Sequence, residues 1–198
     1  MIAPFGHPFY IMAKPVGSSC NLNCNYCYYL SKEKGVMSDD LLETFIQQNI
    51  EAQTQENILF TWHGGEPLLR PISFYKHALE LQQKYARGRH IDNCLQTNGT
   101  LITDEWCEFF RQNNFLIGIS IDGPEWMHNH YRQQFDKTLQ GIQLLKRHGV
   151  QWNVMATVNH LNADHPQEFY HFFRELLPIH HSFRIQREGR HDSDIVFP

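Results

Sequence analysis

Six short apolar runs alternate along the chain with segments of helical periodicity, and this alternation restricts the fold more than any other feature. The runs are rich in β-branched and aromatic residues and lie at 9–14, 57–63, 91–97, 115–121, 151–158 and, more weakly, 182–186. Strands that alternate with helices predict parallel β–α–β units in an α/β protein. Two architectures satisfy the pattern, a doubly wound sheet and an incomplete β/α barrel.

The segments between these runs predict five helices, at 38–53, 73–86, 103–114, 135–149 and 165–176. Ser38 and Thr103 are suitable N-caps for the first and third helices. The fourth ends in three basic residues followed by Gly149, which is typical of a helix C-terminus.

A polar or glycine-rich motif follows each predicted strand. In chain order these are a cysteine loop, GGEP at 64–67, TNG at 97–99, SIDGP at 120–124, TVN at 157–159 and the pair 187–188. Parallel α/β folds build their sites at the carboxyl ends of the strands. We therefore expect one site assembled from all six loops.

Three of the five cysteines, Cys20, Cys24 and Cys27, lie within eight positions of the first loop. Cys94 and Cys107 lie inside apolar patterns and are expected to be small buried hydrophobic residues. A polar loop has no packing reason to collect three thiols, so a shared metal centre is the better interpretation.

The local chemistry leaves the kind of centre open. Iron–sulfur clusters are usually held by four cysteines, and structural zinc also takes four ligands. His7 or His63 could complete a zinc site. A three-cysteine cluster would instead leave one iron open, as a catalytic centre requires.

The bulk composition predicts one domain over residues 1–198, since the length suits a single packed core. The net charge of −4 argues against nucleic acid as a partner. No apolar run approaches the ~20 residues that span a bilayer, and the N-terminus lacks a signal-peptide pattern. These features predict a cytoplasmic protein that binds no membrane.

The motifs together resemble a known family. CNLNCNYC at 20–27 matches the CxxxCxxC pattern of the radical S-adenosylmethionine enzymes, and GGEP is similar to their second motif. The order CNYCYYL, WHGGEP, LQTNG, GISIDGP resembles the anaerobic sulfatase-maturating enzymes over about residues 8–188. The resemblance implies a partial (β/α)6 TIM-like barrel, which in this branch is normally followed by a cysteine-rich domain with auxiliary clusters.

The resemblance also implies the cofactors. Cys20, Cys24 and Cys27 would ligate three irons of a [4Fe–4S] cluster, and S-adenosylmethionine would chelate the fourth. Reductive cleavage would give methionine and a 5′-deoxyadenosyl radical that abstracts hydrogen. An external donor would supply the electron, and a sulfatase peptide would be oxidised from Cys or Ser to formylglycine.

By the same resemblance seven further residues would bind the cofactor: Tyr26 and Tyr28 beside the adenine, Gly64 and Gly65 at the methionine amino group, Glu66 holding that loop, Ser120 at the ribose, and Arg132 at the carboxylate. Thr97 and Asn98 would lie toward the substrate. Each has a plainer interpretation as core, turn or solvated surface, and Asp122 is interpreted chiefly as part of a turn.

The sequence departs from this family at three places. Between Arg132 and Phe135 it lacks a Gly-rich insertion that members usually have, and His63 stands where Gln is common. The chain ends at Pro198 without later cysteines, which predicts a core domain without auxiliary clusters and without the expected substrate base. Two hypotheses remain beside the zinc module: a maturase-type oxidoreductase, and a truncated paralogue that binds cluster and cofactor without oxidising a peptide.

Overall fold

The computed structural model describes residues 9–27, 29 and 35–177, and the backbone of 183–186. Six parallel strands form one sheet: β1 (Met12–Ala13), β2 (Asn57–Trp62), β3 (His90–Thr97), β4 (Leu116–Ser120), β5 (Gln151–Thr157) and β6 (Phe183–Gln186). Their spatial order follows chain order, from β1 at one edge to β6 at the other. A doubly wound sheet would reverse its order at a switch point. The arrangement is that of an open, partial barrel, as the resemblance implied.

Seven α-helices and one short 3₁₀ helix accompany the strands within the described ranges: α1 (Asp39–Glu51), the 3₁₀ helix (Pro67–Leu69), α2 (Ile72–Tyr85), α3 (Asp104–Gln112), α4 (Glu125–Tyr131), α5 (Phe135–Arg147), α6 (His160–Ala163) and α7 (Pro166–Leu176). The five predicted helices are all present as α1, α2, α3, α5 and α7. The expected caps are confirmed, since the Ser38 and Thr103 side chains accept hydrogen bonds from the backbone N–H groups of Leu41 and Trp106.

The prediction of five helices missed α4, α6 and the 3₁₀ helix. They contain seven, four and three residues. Two turns or fewer cannot display a repeating apolar face, so periodicity does not detect them. The omission of α4 matters because Arg132 is its C-cap residue.

Side chains alternate between two faces of the sheet. On β2 the side chains of Ile58, Phe60 and Trp62 are fully buried on the helix-covered face, where Trp62 packs edge-on against Phe74 and Tyr75 of α2. Burying a side chain of this size contributes about 1.5–3 kcal/mol. The intervening residues face the inside of the partial barrel.

This alternation corrects the expectation for Cys94. Its neighbours Asn93 and Leu95 are buried toward the helices, whereas Cys94 is only half-buried and its Sγ lies 3.2 Å from Thr61 Oγ1. Strand periodicity places it on the inner face of the sheet. Cys107 is fully buried, as expected.

No helix in the described part of the chain is long and apolar enough to cross a membrane.

Candidate functional site

The loops after the strands surround one pocket at the carboxyl end of the sheet. Its walls are formed by Cys20, Leu22, Cys24, Tyr26, Cys27, Tyr29, His63, Gly64, Gly65, Gln96, Thr97, Asn98, Ser120, Arg132, Met155 and Thr157. Most residues singled out in the sequence therefore meet at one place. Glu66 lies buried behind the wall, while Tyr28, His7 and residues 187–188 lie outside the described residues.

The cysteine loop is held by contacts from distant parts of the chain. Asn98 Nδ2 lies 3.8 Å from Cys20 Sγ, and the backbone N–H of Leu22 donates to the same sulfur at 3.4 Å. Cys24 Sγ lies 3.8 Å from the backbone oxygen of Arg132. Within the loop, Cys27 N–H donates to the Cys24 carbonyl at 3.0 Å. The three thiols are thus directed into a common space.

Electrostatics also link these thiols. Burial raises the pKa of Cys24, Arg132 opposes that rise, and Cys20 and Cys27 add to it. Three neighbouring thiolates without a cation are therefore unfavourable, and metal binding would replace their protons. Among the residues placed by the structure, no three His, Cys, Asp or Glu side chains are arranged for a single metal ion.

The two glycines of GGEP let the cysteine loop pack directly on the end of β2. A Cβ on Gly65 would lie 1.9 Å from the Ser19 carbonyl oxygen. Gly65 N–H donates to the Gly17 carbonyl at 2.9 Å, and Glu66 N–H donates to Ser19 at 2.8 Å. Gly64 has a φ of +125°, which L side chains rarely adopt. The close approach is therefore between backbone and backbone.

Glu66 joins the ends of β2 and β3. Its side chain is fully buried and accepts hydrogen bonds from Thr97 Oγ1 at 2.7 Å, Asn98 N–H at 2.9 Å and Leu68 N–H at 3.0 Å. Burial raises the pKa of this carboxyl, and the hydrogen bonds oppose the rise. Asn98, fixed by this contact, donates from its side chain to Asn21 of the cysteine loop at 2.9 Å.

Asp122 is more than a turn residue. Its carboxylate is buried, accepts a hydrogen bond from the Tyr26 hydroxyl, and accepts another from the backbone N–H of Thr157 at 2.9 Å. Its own backbone N–H donates to His128 Nδ1 at 3.3 Å. Asp122 therefore connects the ends of β4 and β5 to the cysteine loop and α4.

Arg132 completes this network and faces the pocket. Its Nη1 donates to the Tyr26 hydroxyl at 2.7 Å, and its buried Nε has no partner in the described part of the molecule. Burial alone would lower the pKa of Arg132, but Tyr26 and Asp122 outweigh it and hold that pKa above its usual value. A permanently charged guanidinium with a spare donor suits an anionic group such as a carboxylate.

The tight connection after Arg132 is built by two residues with left-handed backbones. Gln133 has a φ of 76° and Gln134 a φ of 58°, and α5 begins at Phe135. His128 Nε2 lies 3.2 Å from the Gln133 carbonyl oxygen. Arg132 reaches the pocket with the shortened connection in place.

Sequence reasoning missed Gln96 and Met155 as pocket residues, whereas Thr157 belongs to the TVN motif that was expected at the site. Strand alternation could have identified the two missed residues, because each has the inward parity of its strand and lies near its carboxyl end. His63 also lines the pocket, and its Nδ1 accepts the Gly64 N–H at 2.7 Å. Burial lowers the pKa of His63, and Lys14 adds to the effect.

An open β/α barrel with three cysteines in a pocket at its strand ends defines a class of protein with a sulfur-lined ligand site. Residues 15–173 match the family described as the Radical SAM superfamily, and the chain belongs to that family. The enzymes of this family use a [4Fe–4S] cluster and S-adenosylmethionine.

Anaerobic sulfatase-maturating enzymes of other organisms are similar to most of this chain. A serine-type anaerobic sulfatase-maturating enzyme of Bacteroides thetaiotaomicron is 57% identical, over 96% of this chain and 50% of the relative. A cysteine-type enzyme of Clostridium novyi is 36% identical, over 83% of this chain and 48% of the relative. The chain spans about half the length of these relatives.

Solved structures show the same fold. The structure described as native anSMEcpe with bound AdoMet superposes with a TM-score of 0.85 and 31% identity, covering 96% of this chain and 56% of that one. The same protein with bound AdoMet and the Cp18Cys peptide gives a TM-score of 0.80 and 36% identity, covering 85% and 48%.

Proposed function

We propose that the pocket holds a [4Fe–4S] cluster on Cys20, Cys24 and Cys27 with S-adenosylmethionine beside it, as the radical-generating half of an oxidoreductase that converts a residue of a sulfatase peptide to formylglycine. The observation that carries the proposal is that three cysteine thiols and the Arg132 side chain line one pocket, and that Arg132 Nε has no hydrogen-bond partner among the residues the structure describes. These groups fit a cluster and an amino-acid carboxylate.

The chain's own residues then have distinct tasks. The three thiolates would hold three irons and leave one for the cofactor. When bound, the reduced cluster supplies the electron that cleaves the sulfonium C–S bond and starts hydrogen abstraction. Arg132 would bind the cofactor carboxylate. The backbone at Gly64 and Gly65, which Glu66 supports from behind, would lie at the amino group.

The nucleoside part of the cofactor would lie across β4 and the cysteine loop. Ser120 would meet the ribose, and Tyr26 and Tyr28 the adenine. The Tyr26 hydroxyl is occupied by Asp122 and Arg132, so its ring and backbone are the parts that remain for a ligand. Thr97 is held by Glu66, and Asn98 by Glu66 and Asn21, which makes them rigid wall residues on the substrate side.

The substrate assignment is supported by the relatives. Identity is 57% to a serine-type enzyme and 36% to a cysteine-type enzyme, which favours serine as the oxidised residue. The peptide would lose two electrons in this reaction. An external electron donor would be needed first, to reduce the cluster. The thiolate ligands require a reducing compartment, so we place the protein in the cytoplasm. We propose no nucleic-acid or membrane partner.

A second candidate function is binding of cluster and cofactor without peptide oxidation. Accepting two electrons from a substrate calls for a further redox group. The sequence has five cysteines, and the two outside the pocket lie on the inner face of β3 and in the core. Neither cysteine is placed to hold a second cluster. Peptide oxidation would therefore need a partner or an added domain to accept the two electrons, and without one the pocket would only bind cluster and cofactor.

The test is anaerobic reconstitution with iron and sulfide, followed by dithionite, S-adenosylmethionine and an assay for 5′-deoxyadenosine. We expect the product from the wild type and from Cys94→Ala, but not from Cys24→Ala. Matched Ser and Cys peptides then test the substrate, with formylglycine detected by mass spectrometry. A protein that binds the cluster and S-adenosylmethionine but yields no formylglycine would favour the second candidate, and zinc in place of iron would overturn both.

A further inference from the structure

The Gln96 side chain crosses from β3 to Ser120 on β4. Its Nε2 donates to Ser120 Oγ at 2.9 Å, and both side chains line the pocket. In the strand register the partner of Gln96 is Gly118, two residues before Ser120. The amide can reach the serine only by lying over the glycine.

Gly118 provides the space for this crossing. A Cβ at this position would lie 2.0 Å from Gln96 Oε1 and 2.9 Å from its Cδ. It would also lie 3.3 Å from Asn153 Oδ1 of β5. Glycine weakens a strand interior, and its presence there often marks a close approach by another group. The group here is the Gln96 amide.

This contact determines how Ser120 is presented. A serine hydroxyl has one proton to donate and two lone pairs that accept. Because Ser120 Oγ accepts the Gln96 amide, its own proton is free to point elsewhere, and the open direction is the pocket. Ser120 thereby becomes an oriented donor.

We propose that Gln96 is a positioning residue that orients the Ser120 hydroxyl as a donor to a ribose oxygen of the bound nucleoside, and that Gly118 is there to admit it. The inference rests on the proposed function, since the ligand is S-adenosylmethionine. It concerns recognition of the ribose, and the assignment of the three cysteines as cluster ligands does not depend on it.

The test compares affinities of the cluster-loaded protein for S-adenosylmethionine and its 2′-deoxy and 3′-deoxy forms by anaerobic equilibrium dialysis. We expect the wild type to favour S-adenosylmethionine over one deoxy form by about tenfold, the upper range for one hydrogen bond. Ser120→Ala, Gln96→Ala and Gly118→Ala should each reduce that preference to about twofold or less. Asn153→Ala is the matched control and should keep it.

The double variant Gln96→Ala/Gly118→Ala gives the sharpest comparison. Without the amide an added methyl at position 118 meets only Asn153 Oδ1 at 3.3 Å, which a small shift of that side chain relieves, so the double variant should nearly match Gln96→Ala. Iron content and urea midpoints measured in parallel show any loss of folding.

Retention of the preference in folded Gln96→Ala would overturn the inference, as would additive losses in the double variant. A wild type that carries the cluster yet binds none of the three compounds would overturn the proposed function instead.

Discussion

The Tyr26 hydroxyl donates a hydrogen bond to the buried carboxylate of Asp122 and accepts one from Arg132. This single hydroxyl links the cysteine loop, the end of β4 and the C-terminus of α4. The loop and the guanidinium therefore depend on one buried network for their relative positions.

We expect Asp122→Asn and Tyr26→Phe each to lower the free energy of unfolding by about 1–3 kcal/mol, because each leaves buried polar partners unpaired. The double variant should lose less than the sum, since both changes break one network. Urea unfolding of the metal-free protein measures this cycle. Tyr85→Phe, which removes a partly buried hydroxyl contact to Glu43 outside this network, is the control and should have a smaller effect. If the losses of the two single variants added exactly in the double variant, Tyr26 and Asp122 would not stabilise the fold through their mutual contact.

Gly65→Ala should disrupt the cysteine loop. The new methyl would lie 1.9 Å from a backbone oxygen that cannot move without displacing residues 18–19. A loss of roughly 3 kcal/mol in stability and a strong fall in iron incorporation follow from that overlap. Gly35→Ala, where the methyl meets nothing within 4 Å, should stay within about 0.5 kcal/mol of wild type. Equal iron content in both variants would contradict the packing described for the loop.

Glu66→Gln should be destabilising although the side chain keeps its shape. The carboxylate accepts three hydrogen bonds, two on Oε1 and one on Oε2. An amide must direct its NH2 group at one of these donors, which costs about 1–3 kcal/mol. Glu108→Gln, at an exposed position of α3, offers a surface control. Thermal unfolding compares the two, and an unchanged midpoint for Glu66→Gln would show that the carboxylate is not ionised in the folded protein.

The stability of the protein should depend on pH through His128. Burial lowers the pKa of His128 to about 3, with Arg132 adding to the effect and the Gln133 carbonyl opposing it. The ordinary value is 6.5, so between pH 6.5 and 3 the unfolded chain binds a proton that the folded chain excludes. The free energy of unfolding therefore falls as pH falls through this window, by about 1.4 kcal/mol per unit from this residue.

His128→Asn keeps an acceptor for the Asp122 N–H but cannot bind a proton. The free energy of unfolding of the variant minus that of the wild type should increase as pH falls below 6.5. Above pH 6.5 this difference should be constant. Urea unfolding of both proteins between pH 4 and 8 measures this difference. Subtracting one protein from the other cancels the contributions of the ionisable groups that they share. A constant difference across the whole range would show that the folded protein protonates His128 as readily as the unfolded chain does.

Local sequence patterns predicted much of the architecture. The alternation of apolar runs located all six strands, and Ser38 and Thr103 marked two helix starts that the structure confirms. These signals are local, because strand alternation and helix caps involve residues within a few positions of one another. The short helix α4 was missed because seven residues do not make a repeating pattern.

The sequence by itself also identified the family, since the spacing of Cys20, Cys24 and Cys27 and the motifs at successive strand ends carry the resemblance that the family match confirms. The tertiary structure alone decided how other residues serve those motifs. Tyr26 and Asp122 lie 96 positions apart, and Gln96 reaches Ser120 because strand register places it over Gly118. Such pairs depend on which strand lies beside which and on the direction of each loop, and no spacing along the chain encodes either.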